Sequence, residues 1–460
     1  MEILKYEKTN GYSGLEAGER SAMEAYCRRY MDFLDRGKTI REVTAETAAE
    51  AEKHGFVPFQ PDKPLSPGDR VFFNNRGKSV IFAVIGKKSL AEGCRIAVAH
   101  GDSPCLDLKP NPLYESEELA LLRTHYYGGV KKYQWVTIPL ALHGQVCMTD
   151  GTSKNVCLGE EPDEPVLYIS DLLIHLSNEQ MDKKMKEGVT GEKLCALAGS
   201  EPLAGIEEKE EKEPVKAAVL RLLNERYGML EADFLSAELS LVPAGKSRIV
   251  GLDGSMIGAY GHDDRICAYG EFEPLLDMKI PEYTAVCLIA DKEEIGSVGI
   301  SGMQSHVFDH FMEDLCEAQG VKVRRCLENS LCMSADVTNA IDPLYTDATE
   351  LQNNARLNYG VAVCKYTGHG GKSGASDASA EVVARFRHIF DEADVKWQMA
   401  DMGRIDLGGG GTVAGYMANR GIETLDVGVP LLSMHAPMEI ASKYDAYMMR
   451  KAASAFYESR

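Results

Sequence analysis

Five short groups of imidazole and carboxylate side chains, each following directly on an apolar strand-like run, constrain this chain more than any other feature. They are His100-Gly-Asp102, His262-Asp263-Asp264-Arg265, Asp291-Lys-Glu293-Glu294, Ser334-Ala-Asp336 and Ser433-Met-His435. A chain that ends several buried strands in such residues is suited to gathering the strand ends at one place, which is where open α/β sheets meet their ligands. Taken singly, a strand-end Asp is ordinarily a cap or turn former, and an isolated His a surface or satisfied interior group. Taken together, His, Asp and Glu without Cys suit zinc or another divalent first-row ion in a hydrolytic site. A shared carboxylate further allows two ions about 3.5–4 Å apart.

The runs themselves indicate an α/β fold. Residues 94–100, 283–290, 331–335 and 423–429 read as buried strands, and 70–73 and 79–85 as strands broken by the turn signal Asn74-Asn75-Arg76-Gly77. Helical spacing predicts helices over 21–34, 41–54, 305–318, 375–391 and 413–418, the second opened by Thr39. From about 111 to 249 the texture changes to alternating runs, as in 133–143 and 165–170, that predict antiparallel strands. A charge run at 207–216 reads as a solvated loop or helix end. We therefore expect an α/β domain built from residues 1–110 and 250–460, interrupted by a β-rich insertion over 111–249.

Composition removes several function classes. At 460 residues the chain is about three times the soft prior for one domain, and 44% hydrophobic with 26% charged residues places it among globular proteins. Asp and Glu number 70 against 50 Lys and Arg, and a net charge of −20 repels nucleic-acid phosphates and anionic headgroups. Neither nucleic acid nor a membrane is expected as partner, and the longest apolar runs fall far short of the ~20 residues of a membrane span. The 12 cysteines are scattered without a Cys-x-x-Cys pair, and the amino terminus lacks an apolar signal core, so a reduced, cytoplasmic protein is expected. No P-loop, Gly-x-Ser-x-Gly elbow or His-Glu-x-x-His is present.

Ala99-His-Gly-Asp-Ser-Pro-Cys-Leu106, Asp263-Asp264, Glu293-Glu294-Ile-Gly-Ser297, Ser334-Ala-Asp336 and Ser433-Met-His435 follow one another in an order that resembles the M18 aminopeptidases. These are the aspartyl aminopeptidases and their relatives within the di-zinc exopeptidases. The resemblance implies a mixed-sheet α/β/α catalytic domain carrying an inserted β-rich dimerisation domain. It also implies two divalent metal ions per subunit, zinc in the first place with manganese or cobalt as substitutes. Asp263 would bridge them, with His100 and Asp336 completing one ion and Glu294 and His435 the other. Glu293 would act as general base, taking a proton from the activated water and passing it to the leaving amine. Asp102 would accept from the His100 ring nitrogen that faces away from the metal. Asp264 is either part of the centre or a structural hydrogen-bonding group beside it.

Two further segments carry expectations from the same resemblance, and a third from its glycine content. His175 occupies the place of a family histidine that reaches into a neighbouring subunit and stabilises the oxyanion, the alternative being a local structural role. Lys365 aligns with a lysine that meets an acidic substrate side chain, the alternative being an exposed strand-end lysine. The segment after it, 367–379, departs from the family's Asn-rich pattern, which leaves acidic and neutral amino-terminal residues both open as substrates. Gly408 to Gly411, followed by Thr412, is either a wall of the substrate pocket or a tight loop.

The function implied is a metal-dependent aminopeptidase acting on peptides with a free amino terminus, assembled as a homododecamer built from dimers. Another metallo-exopeptidase or deacylase of the same fold is one alternative, and a non-catalytic self-assembling scaffold the other. Retention of Glu293 beside five metal ligands speaks against the scaffold, since a shell needs no general base.

Overall fold

The computed structural model describes residues 4–204, 211–368 and 370–460. The chain divides into two units: Met1–Asp102 with Ser247–Met434 and Glu439–Arg460 form the first, Ser103–Lys246 with His435–Met438 the second. The chain thus leaves the first unit at Ser103, earlier than the expected 111. The strand Cys105–Ser116 accounts for the difference, because it pairs with Leu119–Tyr127 and so belongs to the second unit's sheet.

A nine-stranded mixed sheet organises the first unit. In chain order its strands are β1 Val57–Pro58, β2 Arg70–Asn75, β3 Ser79–Val84, β4 Cys94–His100, β5 Thr284–Ala290, β6 Leu331–Ser334, β7 Val361–Cys364, β8 Trp397–Met399 and β9 Glu423–Gly428. In space they run β1-β2-β3-β5-β4-β6-β9-β7-β8. β4 lies between β5 and β6, parallel to both, and β6 is parallel to β9. Every residue of β4 is buried, Arg95 included, as its largely apolar run predicts for a strand covered on both faces.

The period of two along β4 divides its side chains between two cores. Ile96 and Val98 pack with Phe308, Phe311 and Met312 from helix Val307–Glu317, while Ala97 and Ala99 face a larger cluster containing Phe33, Phe82, Phe272 and Phe456. Helices contributing to that larger cluster include Ala17–Arg36, Ile40–Lys53, His262–Leu276 and Lys443–Glu458, which we label α1 to α4. α2 begins where Thr39 predicts. The Thr39 hydroxyl accepts the Glu42 N–H while the Glu42 carboxylate accepts the Thr39 N–H, a reciprocal cap whose loss costs roughly 1 kcal/mol. A smaller five-stranded sheet, ordered Arg248–Val250, Met256–Ala259, Glu439–Ser442, Pro430–Leu432 and Thr338–Asn339, leads the chain into α3.

The second unit is built on a seven-stranded sheet whose pairings are all antiparallel. Its strand Ala237–Pro243 pairs with both Cys105–Ser116 and Pro139–Cys147, which joins the two sides of the sheet. The expected strand over 133–143 begins later, at Pro139, because Lys132–Gln134 forms a helical turn and Thr137 adopts a left-handed φ of 60°. Residues 207–210 of the charge run lie outside the described residues. Its end passes into helix Pro214–Tyr227, which opens on the proline and stops at Gly228 in the left-handed conformation. No helix among the described residues is long and apolar enough to cross a membrane.

Candidate metal centre

Hydrogen bonding from β4 into the loop beyond it fixes the first ligand candidate. His100 pairs with Ala290 of β5, and the next amide, Gly101 N–H, donates to the Ala290 carbonyl at 2.9 Å. The buried imidazole directs Nδ1 to the Asp102 carbonyl oxygen at 3.0 Å, with the Asp102 carboxylate at 3.4 Å. The backbone oxygen, rather than the expected carboxylate, is therefore the nearer partner. Nε2 faces the other way, 3.3 Å from Asp263 Oδ1 and 3.8 Å from Asp336 Oδ1.

Asp263 reaches this point because α3 does not start as a regular helix. Gly261 precedes it with φ +78°, and Asp263 itself has φ −78° and ψ 107°, outside the helical region. The peptide bond between Asp263 and Asp264 is cis. Three buried groups hold the irregular start in place. Glu439 Oε2 accepts the Asp263 N–H at 3.1 Å. The Tyr30 hydroxyl donates to His262 Nδ1 at 2.7 Å, while His262 Nε2 donates to the Ile257 carbonyl at 3.1 Å. Arg265 spans the neighbouring loops, donating from Nε to the Gly101 carbonyl and from Nη2 to that of Lys38. Burial pushes the His262 imidazole down to about 4, so this histidine is neutral.

Glu293 and Glu294 sit in a single helical turn, Glu293–Ile295, entered through Lys292 with φ +67°. Both backbone N–H groups point at Asp102: Glu293 N–H donates to Oδ1 at 3.2 Å and Glu294 N–H to Oδ2 at 3.3 Å. Asp336 follows β6, where the Ser334 hydroxyl donates to Asp426 Oδ1 at 2.9 Å. His100, Asp263 and Asp336 each present one ligand atom, and the three atoms lie within 4.8 Å of one another.

The electrostatics of this cluster suit cations. Burial, then Asp336, raise the Glu293 carboxyl to about 8, with His100 opposing. Burial would lower His100, but its contacts with Asp102, Asp263 and Asp336 override that and hold it well above the ordinary histidine value. Asp264 is fully buried, and burial, then Asp336, raise it well above the ordinary carboxyl value, with His100 and the Cys267 thiol opposing. Buried carboxylates in excess of buried cations, joined by an imidazole and without thiolates, form a donor set that fits zinc.

The remaining predicted residues lie as follows. His435 falls in the second unit, where Nδ1 donates to the Gly129 carbonyl at 2.8 Å. A Cβ on residue 129 would stand 3.1 Å from that nitrogen, so glycine there permits the approach. His175 is exposed on the second unit in the turn Ile174–Leu176, beside exposed Leu172 and Leu173. Lys365 is half-buried directly after β7, and its carbonyl accepts the Ala378 N–H. The Thr412 hydroxyl donates to Asp426 Oδ1 at 2.8 Å and accepts the Ala414 N–H at 3.3 Å.

The sequence model of the family described as aminopeptidase I zinc metalloprotease (M18) matches residues 33–457. The chain belongs to the M18 family. As an M18 metallo-aminopeptidase it is 46% identical over 463 residues to the probable M18 family aminopeptidase 1 of Clostridium acetobutylicum, covering 99% of each chain. Its fold matches the crystal structure of the Thermotoga maritima M18 aminopeptidase with a TM-score of 0.94 at 43% identity, covering 99% of this chain and 100% of the other. The dodecameric mApe1 structure from S. cerevisiae matches with a TM-score of 0.76 at 19% identity, over 95% and 97% of the two chains, a likeness of fold.

Several residues that shape the candidate centre were not legible in the sequence. Tyr30, Arg265, Glu439 and Asp426 each hold a candidate residue or its strand; Arg265 stands within one of the five sequence groups but was given no role, and the other three stand in no recognisable motif. Asp426 offered one signal, as the only charged residue inside the apolar run Thr424–Val429. Glu439 offered none, since its strand Glu439–Ser442 is short and also carries Ser442.

Proposed function

We propose that this M18 aminopeptidase binds two divalent ions, zinc in the first place, and releases single amino-terminal residues from peptides with Glu293 as general base. His100, Asp263 and Asp336 would hold one ion. Asp263 would be shared with the second, for which Glu294 and, on the family resemblance, His435 are the further ligands. Bound ions supply Lewis-acid polarisation of the scissile carbonyl and acidify water. The carboxylates that raise Glu293 are the ones such cations would neutralise, which would bring its proton affinity toward the neutral range useful to a base. Glu293 would take the proton of the attacking water and hand it to the departing amine. Asp102 fixes where Glu293 stands. The observation that carries this reading is the grouping of His100, Asp263 and Asp336, with the backbone of Glu293 held by the residue two places beyond His100.

Lys365 is assigned to the substrate's side-chain pocket, with acidic or neutral amino-terminal residues as substrates, and Thr412 to the loop bordering it. His175 would serve a neighbouring subunit's oxyanion. The β-rich region expected over 111–249 would form dimers that assemble into a dodecamer, and the exposed Leu172, Leu173, Ile174 and Leu176 beside His175 suit burial at such a contact. The 12 free cysteines suit the reducing cytoplasm.

The test is hydrolysis of a panel of aminoacyl substrates, free and N-acetylated, by metal-stripped protein before and after zinc, manganese or cobalt is restored. Metal-restored release from free amines only, lost in Glu293→Ala, is the expected result. Cleavage of the acetylated series would make the protein a deacylase, and silence from a folded assembly with every metal would make it a scaffold.

A further inference from the structure

The hydroxyl of Thr412 closes the glycine run Gly408 to Gly411 and donates to a carboxylate buried in the sheet. That carboxylate, Asp426 of β9, is opposite Ser334 of β6 in register, and the same oxygen, Oδ1, accepts the Ser334 hydroxyl at 2.9 Å. Two residues further along the same face of β9, Gly428 lies against the carbonyl of Asp336, where a Cβ would stand 1.6 Å from the oxygen. β9 therefore touches the exit of β6 twice, once on each side of the turn into Asp336. The glycine run is itself a tight fold-back. A Cβ on Gly408 would stand 1.9 Å from the Met402 carbonyl, the Gly408 N–H donates to Arg404, and the Gly410 carbonyl accepts the Gly368 N–H at 2.7 Å. Through that last bond the run is tied to the segment following Lys365.

From this geometry we infer that Asp426 is a positioning residue that clamps the glycine-rich loop, and through it Gly368, to the strand pair carrying Asp336. The inference rests on the proposed aminopeptidase reading for its kinetic consequence, and on the hydrogen bonds alone for its structural one. Thr412 then acts as the near jaw of the clamp, since its hydroxyl is already engaged by Asp426 and by the Ala414 N–H. Asp426 touches neither substrate nor metal in this assignment. It keeps a glycine run, which has no side chains with which to hold itself, in register with the centre.

The experiment compares Thr412→Val, Asp426→Val and Asp426→Asn with the unmodified full chain in three readouts. These are amide hydrogen exchange at Gly368 and Gly408, zinc bound per chain after dialysis, and KM and kcat on an aminoacyl substrate. Thr412→Val is expected to speed exchange at Gly368 and Gly408, and to raise KM about tenfold with kcat within about threefold, the scale of one lost hydrogen bond. Its zinc content should not change. Asp426→Val should do at least as much, and Asp426→Asn, which retains Oδ1 as acceptor for both hydroxyls, should return exchange and KM to within about twofold of the unmodified chain. Unchanged exchange and KM in Thr412→Val would overturn the clamp, as would loss of zinc from that variant. Thr412→Val keeps the test decisive if Asp426→Val fails to fold. Absence of hydrolysis by the unmodified protein would overturn the aminopeptidase reading instead, and the exchange comparison would still decide the clamp.

Discussion

The two oxygens of Asp102 are divided between consecutive backbone amides, Oδ1 accepting from Glu293 and Oδ2 from Glu294. The proposed base and its neighbouring ligand are thus held through their main chain by the residue two places beyond His100. Asp102→Asn would turn one of those acceptors into an NH2 donor facing an N–H. We expect kcat to fall about 10- to 100-fold, corresponding to roughly 1–3 kcal/mol of lost positioning, with zinc content unchanged. Steady-state kinetics paired with metal analysis checks this, and parallel loss of zinc would contradict it.

Gly428 stands where β9 passes the Asp336 carbonyl, and its φ is not of the left-handed kind, so space alone requires glycine there. Gly428→Ala has to displace either the strand or Asp336. The expected outcome is destabilisation of about 1–3 kcal/mol together with weakened zinc binding, measured by denaturant unfolding and by competition with a chelator. Wild-type zinc affinity in a destabilised Gly428→Ala protein would show that the strand yields and Asp336 does not.

Zinc itself should stabilise the fold. A ligand that binds only the native state adds about 2.7 kcal/mol at a hundredfold excess over its Kd. Chelation should lower Tm and restored zinc should recover it, with two ions bound per chain. Asp336→Asn should reduce the stoichiometry toward one, because Asp336 serves only the ion shared by His100 and Asp263 in the proposed arrangement.

Glu164 gives the second unit a defined acid response. It forms an ion pair with Arg226 and accepts the Gly159 N–H, and these contacts, the guanidinium foremost, hold its carboxyl down at about 2 against an ordinary 4.5. Because the folded value is the lower one, the contribution is complete above pH 4.5 and fades as pH falls toward 2. The pair is partly exposed, so its worth is below about 1 kcal/mol. Arg226→Gln should therefore lose protection in helix Pro214–Tyr227 at pH 6 and match the unmodified protein near pH 2, as read by hydrogen exchange compared at equal pH.

How far the chain could be read in advance depended on whether a feature is local. β4 was legible to the residue because a run apolar but for Arg95 and ending in His-Gly-Asp reads as a buried strand. The cap at Thr39 was equally local. By contrast, Cys105–Ser116 hides a strand behind Pro110 and Pro112, and the ladder slips register between Leu108 and Leu113, so the passage into the second unit was expected too late. The helix α3 was not expected from the sequence, and at its start Asp263 and Asp264 are not helical. Their conformation accompanies contacts with Tyr30, Glu439, Gly101 and Lys38, all distant in sequence. Asp426 was out of reach for the same reason, since its partners lie 14 and 92 residues away.

The register of β4 is a ruler for the centre. Adjacent strands stand about 4.8 Å apart, and His100 stands level with Ala290 because seven consecutive residue pairs align β4 with β5. A slip of one residue would set Gly101 or Ala99 in its place and turn the imidazole to the opposite face. Such a chain would retain much of its apolar burial and still be unable to grip a metal through that position. Zinc bound at His100, in the proposed arrangement, would therefore report on folding fidelity, because it would count the molecules in which the sheet has been assembled in step.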